Sequence, residues 1–210
     1  MGNISNLGDG KYTVEDIDPS LCTHLMYSFA VLDPTTHLIT VHDSWLDIDL
    51  GNIRKFTNLK AHYPHVKLLL ALGGWNDSRL TKYSVLLADA GKRSAFVQHA
   101  VSFIREFGFD GLDLDYEYPG HDGAATDREG FTALVKELKE AFNPYGWELT
   151  AAVSASKATV DKGYDVEEVC KYLDAVHLMC YDMHGSWEHE VDHHAKLYGD
   201  QGDELTVDFA

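Results

Sequence analysis

The stretch Phe109 to Gly120, Phe-Asp-Gly-Leu-Asp-Leu-Asp-Tyr-Glu-Tyr-Pro-Gly, constrains this chain more than any other. Asp113, Asp115 and Glu117 recur at every second position, so on a β-strand their carboxyls leave one face while Leu112, Leu114 and Tyr116 leave the other. Aspartate is a poor strand former, and like charges on one face repel. A strand that tolerates both has a use for its carboxylates. The alternatives are a solvated edge face, a divalent-cation site, or acid–base chemistry. Pro119-Gly120 is expected to end the strand where its last carboxylate meets a loop.

Other segments supply the sheet. Val66 to Leu72 is a nearly continuous apolar run ending in Gly73-Gly74-Trp75, the pattern of a strand buried on both faces of a parallel sheet. The first twenty residues read as a polar loop, and Asp18-Pro19-Ser20 leads into a strand over Thr23 to Leu32. Trp147 to Ser154 and Ala175 to Tyr181 read as two more. Helices are predicted between them. Gly51 to Tyr63 is the first, stopped by Pro64. Gly91 to Phe107 carries an apolar stripe of Phe96, Val97, Ala100, Phe103, Ile104 and Phe107, with Gly108 as its stop. A capping box, Thr126-Asp127-Arg128-Glu129, opens a helix with Phe131, Leu134, Val135, Leu138 and Phe142 on one face, ended by Pro144 and Gly146. Asp165 with Glu168 caps a shorter helix to Leu173, and the acidic, histidine-rich tail offers only a weak strand, Leu205 to Phe209.

About five strands thus alternate with four helices, which predicts βα units and a parallel sheet. An open doubly wound sheet and part of a (β/α)8 barrel both fit. Polar and aromatic clusters recur at successive strand ends: Tyr27 and Phe29, Gly74-Trp75-Asn76, Glu117-Tyr118, Ser154, and Tyr181-Asp182. Several strand ends feeding one site is barrel behaviour, whereas an open sheet concentrates its site at one switch point. The expected fold is therefore a partial barrel.

The formal net charge of −17 over 210 residues argues against nucleic acid and anionic membrane as partners, and favours a neutral or cationic ligand. No apolar run is long enough to span a bilayer. Met1 to Asn6 has neither the basic nor the apolar part of a signal peptide, and Asn6 breaks the myristoylation pattern. Cys22, Cys170 and Cys180 lack metal-ligand spacing, and an odd count leaves at least one unpaired. Cys170 and Cys180 lie in apolar settings and are expected to be buried.

Glu117, last in the row, is placed nearest a barrel mouth. Three carboxyls stacked on one strand cannot all ionise freely, so at least one keeps a proton near neutral pH. A protonated carboxyl at a site mouth suits glycoside cleavage, where the leaving oxygen must be protonated. Tyr27, Phe29, Trp75, Tyr118, Tyr181 and Trp187 offer rings for sugar faces.

The row Asp110-Gly111-Leu112-Asp113-Leu114-Asp115-Tyr116-Glu117 resembles the DGxDxDxE signature of family 18 glycoside hydrolases, the chitinases and their non-catalytic relatives. Asp18 to His24 ahead of Tyr27-Ser28-Phe29, Leu72-Gly73-Gly74-Trp75-Asn76, and Met179 to Trp187 resemble further motifs of that family, in the same order. The resemblance implies a catalytic domain spanning residues 1–210 that performs substrate-assisted, retaining hydrolysis of β-1,4-linked N-acetylglucosamine polymers. Glu117 would be the acid, Asp115 would orient the acetamido group, Asp113 would share a proton with Asp115, and Tyr181 would hydrogen-bond the acetamido oxygen. Asp182 would help hold the sugar, and Trp75, Tyr118, Met179 and Trp45 would line subsites beside Tyr27, Phe29, Gly73, Gly74 and Asn76. The resemblance calls for chitin or chitooligosaccharides as partner, no cofactor and no metal, an extracellular location, and a monomer when complete.

Three strands of the family barrel, the first and the last two, are not recognisable, nor is the partner expected for the Cys22 disulfide. The domain is therefore expected to be incomplete at both ends, covering roughly strands two to six, and to be marginally stable or aggregation-prone alone. Two rivals are a glycan-binding relative without turnover and a metal enzyme. The first is disfavoured because Glu117 is present. The second rests on His189-Glu190-Val191-Asp192-His193, an H-E-x-x-H match in a chain with 12 histidines that has meaning only on a helix.

Overall fold

The computed structural model describes residues 10–121, 124–189, 191–199 and 205–208. Among them six strands form one sheet in the order β2-β1-β3-β4-β5-β6. The strands are β1 (His24–Leu32), β2 (Ile39–Val41), β3 (Lys67–Gly73), β4 (Gly111–Asp115), β5 (Glu148–Ser154) and β6 (Ala175–Met179). All neighbours pair in parallel except β1 with the short β2. The helices are α1 (Asn52–Thr57), α2 (Lys82–Ala88), α3 (Ala90–Phe107), α4 (Asp127–Phe142), α5 (Lys157–Gly163) and α6 (Val166–Val169).

Strand parity divides the sheet into two faces. Leu68, Leu70 and Leu72 of β3, Leu112 and Leu114 of β4, and Leu149, Ala151 and Val153 of β5 join one core cluster with the helices. The helices present the stripes that their spacing predicts: Phe96, Val97, Ala100, Phe103 and Ile104 on α3, and Phe131, Leu134, Val135, Leu138 and Phe142 on α4. The opposite face carries Ala71, Gly73, Asp113, Asp115 and Thr150, joined across the strands in register. The sheet curls toward this face, since His24 of β1 reaches Glu148 of β5 at 2.9 Å across two intervening strands. Curl, parallel pairing and one-sided helices are the geometry of a partial barrel.

Two aspartates set the register. Asp110, ahead of β4, receives the Leu68 N–H on its carboxylate and gives its own N–H to the Leu68 carbonyl. Asp174, ahead of β6, does the same with Leu149.

Several local expectations are corrected. The ladder of β4 stops at Asp115, so Pro119-Gly120 does not end it and Glu117 lies two residues past it. Thr126 makes no capping bond: it already has helical dihedrals (φ −82°, ψ −4°), where a capping residue takes extended ones. The helix over 51–63 breaks into α1 and a 3-10 turn at Asn58–Ala61, and the one capped by Asp165 stops at Val169. Residues 205–208 form bends and turns; Phe209 lies outside the described residues. Cys170 is exposed and Cys180 half-buried, and all three cysteines are free. No helix among the described residues is long and apolar enough to cross a membrane.

Candidate active site

The C-terminal ends of β3 and β4 are locked backbone to backbone. Gly73 pairs with Asp115, and a Cβ at Gly73 would stand 2.2 Å from the Asp115 carbonyl oxygen. Only glycine fits there, and its φ of 118° asks for glycine as well. The Gly74 N–H then donates to the Asp115 carbonyl at 2.8 Å. Ser78, buried in the loop after β3, donates to that carbonyl at 3.3 Å and accepts the Glu117 N–H at 2.9 Å. The chain carrying Glu117 is therefore fixed to the β3 loop as it leaves the sheet.

Asp113 is 5% exposed and accepts a 2.6 Å bond from the Thr150 hydroxyl, with His177 Nε2 3.6 Å away. Burial raises its pKa, against the Thr150 bond and the His177 charge, which lower it. Asp115 is 4% exposed, and its Oδ1 has no hydrogen-bond partner among the described residues. Burial, then the charges of Glu117 and Asp113, push its carboxyl up to about 7. Glu117 is raised as well, by burial first and by the Asp182 charge, while hydrogen bonds from the Tyr118 hydroxyl and the Trp75 N–H pull it down. The three neighbouring carboxyls are thus all shifted the same way, upward, with burial as the first cause in each.

Most of the residues singled out by the sequence meet here. Trp75 is half-exposed and bonds Glu117 through its backbone. Burial also raises the phenols of Tyr118 and Tyr181, which keeps them as donors, and both respond to the charges of Glu117 and Asp115. Met179 ends β6, buried and in register with Ser154. Asp182 follows with a left-handed φ of 53°, exposed and near enough to Glu117 to act on its charge. Phe29 falls at a register shift in β1 and lies against Gly74, where a Cβ would stand 3.1 Å from its ring. Asn76 is exposed beside Trp75. Trp45 is exposed at the start of the π-type turn Trp45–Asp49, whose buried Asp47 accepts a 2.5 Å bond from the Tyr27 hydroxyl.

Tyr27 itself is not a sugar platform. Its ring packs edge-on against Phe56, 5.4 Å between centroids, and beside Phe109 on the helix-covered face of the sheet. Parity was the available signal: Tyr27 alternates with Met26 and Ser28. Thr150, His177 and Ser78 were missed. Parity could have found the first two, since Thr150 pairs with Asp113 and His177 is two residues before Met179. Ser78 sits in an irregular loop with no periodic signal. His189 and residues 191–193 form no helix, and no group of three or more described histidine, cysteine, aspartate or glutamate residues is arranged to hold a metal.

Comparison with known proteins extends this geometry. Residues 2–210 match the model of glycosyl hydrolases family 18. The chain is 46% identical over 206 residues to "Probable chitinase 2" of Drosophila melanogaster, covering 96% of this chain and 42% of that one. It superposes with a TM-score of 0.94 and 46% identity on catalytic domain 2 of the Ostrinia furnacalis Group II chitinase, solved as a mutant in complex with penta-N-acetylchitooctaose, across 98% of this chain and 56% of that one. The Ostrinia furnacalis Group IV chitinase in complex with allosamidin follows at 0.90 and 41%, across 95% and 54%. The chain therefore spans about half the length of its relatives, with the carboxylate row at its centre, and it belongs to glycosyl hydrolases family 18.

Proposed function

We propose that this chain is the acid-bearing part of a chitinase, cleaving β-1,4 linkages between N-acetylglucosamine units with retention of configuration. One observation carries the reading: Asp115, buried and held at about 7, stands directly behind a Glu117 whose own carboxyl is raised. A protonated Glu117 gives its proton to the glycosidic oxygen as that bond breaks. The nucleophile is the substrate's own acetamido oxygen, which closes on the anomeric carbon to form an oxazolinium ion. Asp115 orients that group: its buried, unpartnered Oδ1 turns to accept the acetamido N–H. As positive charge grows on the ring, Asp115 becomes the anion that stabilises it, passing its proton toward Asp113, which Thr150 and His177 hold. Tyr181 donates to the acetamido oxygen. Water then opens the ring, with Glu117 as base.

Chitooligosaccharides are the proposed ligand, with Trp75, Tyr118 and Met179 as subsite walls. The test is fluorophore release from a chitobiose conjugate by the chain and by Glu117→Gln. General acid catalysis is worth about 100- to 10,000-fold, and a loss of that size is expected. Equal release by both would sink the acid assignment. Oligosaccharide binding with no turnover in either would mark the chain as a glycan-binding member of the family.

A further inference from the structure

A second buried carboxylate, outside the row, holds the segment that carries the acid. Asp127 is the first residue of α4 and is 1% exposed. Three donors converge on its Oδ2: the Ser84 hydroxyl of α2 at 2.7 Å, the Tyr116 hydroxyl at 3.0 Å and the Gly120 N–H at 3.2 Å. Tyr116 and Gly120 stand on either side of Glu117. Their two bonds to one oxygen gather residues 116–120 into a loop whose ends cannot separate without leaving a buried polar group unpartnered, which is costly. The carboxylate is well placed to do this, since it sits at a helix N-terminus.

The rest of the loop is held from two further sides. The Tyr116 ring stacks on Tyr83, 4.6 Å between centroids and 13° from parallel. The Tyr83 hydroxyl bonds Asp77, which also receives the Leu32 N–H from the end of β1. On the far side Gly163 of α5 lies so close that a Cβ would come within 2.5 Å of the Pro119 carbonyl oxygen. With Ser78 gripping the Glu117 N–H, the acid's backbone is tied to the ends of β1 and β3 and to α2, α4 and α5.

We infer that Asp127 is a positioning residue that sets where the Glu117 carboxyl stands, acting through Tyr116 and Gly120. A purely structural role at the start of α4 would need neither donor to come from the acid's own loop. The inference rests on Glu117 being the acid. A displacement of about 1 Å at a reacting group can cost on the order of 100-fold, so the effect falls on turnover and leaves binding intact.

The experiment compares the chain with Asp127→Ala, Asp127→Asn, Tyr116→Phe and Glu117→Gln, using a fluorogenic chitobioside for kcat and KM and tryptophan fluorescence for chitotetraose binding. Asp127→Ala is expected to lower kcat at least about ten-fold, with KM and binding changed less than about two-fold. Asp127→Asn keeps an acceptor oxygen and recovers most of the loss, while Tyr116→Phe, lacking one donor, falls between. Unchanged kcat in Asp127→Ala overturns the inference, as does an equal fall in kcat, binding and thermal midpoint in both the Ala and Asn variants. A fully active Glu117→Gln overturns the acid reading instead. Hydrogen exchange applies whatever the turnover: in Asp127→Ala the Gly120 amide exchanges faster while the β4 amides do not, and an unaltered Gly120 amide overturns the inference.

Discussion

β4 and β6 are the same length, run in the same direction and begin alike. Ahead of each an aspartate bonds the neighbouring strand at both its amide and its carboxylate, and each aspartate is met by a lysine, Lys60 for Asp110 and Lys139 for Asp174. They end differently. Every residue of β4 is buried, with β3 on one side and β5 on the other. β6 has β5 alone among the described strands, and its Val176 and Leu178 are each 42% exposed. Composition ranks the two the other way, since the charged strand is the buried one. Place in the sheet decides burial, and burial is the first cause that raises the β4 carboxyls. β6, half open, contributes the adaptable groups, Met179 and the Tyr181-Asp182 pair beyond it.

Paired truncations test this comparison with the largest expected effect. Leu114 is 4% exposed and lines a small apolar cavity together with Leu72, Tyr83, Phe131 and Leu134. Leu114→Ala should cost about 2–5 kcal/mol in urea unfolding. Leu178→Ala, the same deletion on β6, should cost under about 1 kcal/mol. Equal losses would show that β6 is as firmly packed as β4.

The next effect is a dependence on pH that β4 alone should show. Asp115 moves from its ordinary 3.8 to about 7 on folding. Between those values the folded chain holds a proton that the unfolded chain has released, so stability falls as pH rises through this window and stays lower above it. Asp115→Asn removes the titrating proton. It should be more stable than the unsubstituted chain by on the order of 1–3 kcal/mol at pH 8, with the difference shrinking below pH 4. A difference that stays constant from pH 4 to 8 would mean that the burial of Asp115 is not what shifts it.

The same contrast shows what the sequence makes legible. Period-two parity placed Asp113 and Asp115 on one face with Leu112 and Leu114 behind them, because β4 is a regular ladder with neighbours on both sides. It placed Glu117 less well. Glu117 stands beyond the ladder, joined to Tyr118 by a cis peptide and held by Ser78 and by the Tyr116–Asp127 bond. Those partners are 39 and 11 residues away in bonds that no local pattern announces. β2 escaped notice because it has three residues, and α2 and α5 because seven residues carry too little periodicity. Tyr27 was misassigned through proximity to the strand end, where parity would have sent it to the core. Cys170 failed for the reason that separates β6 from β4: it precedes the open edge, where apolar neighbours in sequence are not neighbours that cover.

The smallest effect on stability probes the open edge itself. Val176 pairs in register with Ala151 on one side, has no strand on the other among the described residues, and points an apolar side chain partly at solvent. An exposed apolar edge of this kind templates pairing with another chain, and a lysine on it opposes that pairing by charge and desolvation. Val176→Lys should therefore change unfolding stability by no more than about 0.5 kcal/mol while lowering concentration-dependent self-association in sedimentation. On β4 the same substitution behaves in the opposite way. Leu112 is fully buried, and Leu112→Lys would place an unpaired ammonium in the core and abolish folding. Self-association that is indifferent to lysine at Val176 would mean that the edge of β6 is covered in solution, and the distinction between the two strands would then be one of sequence alone.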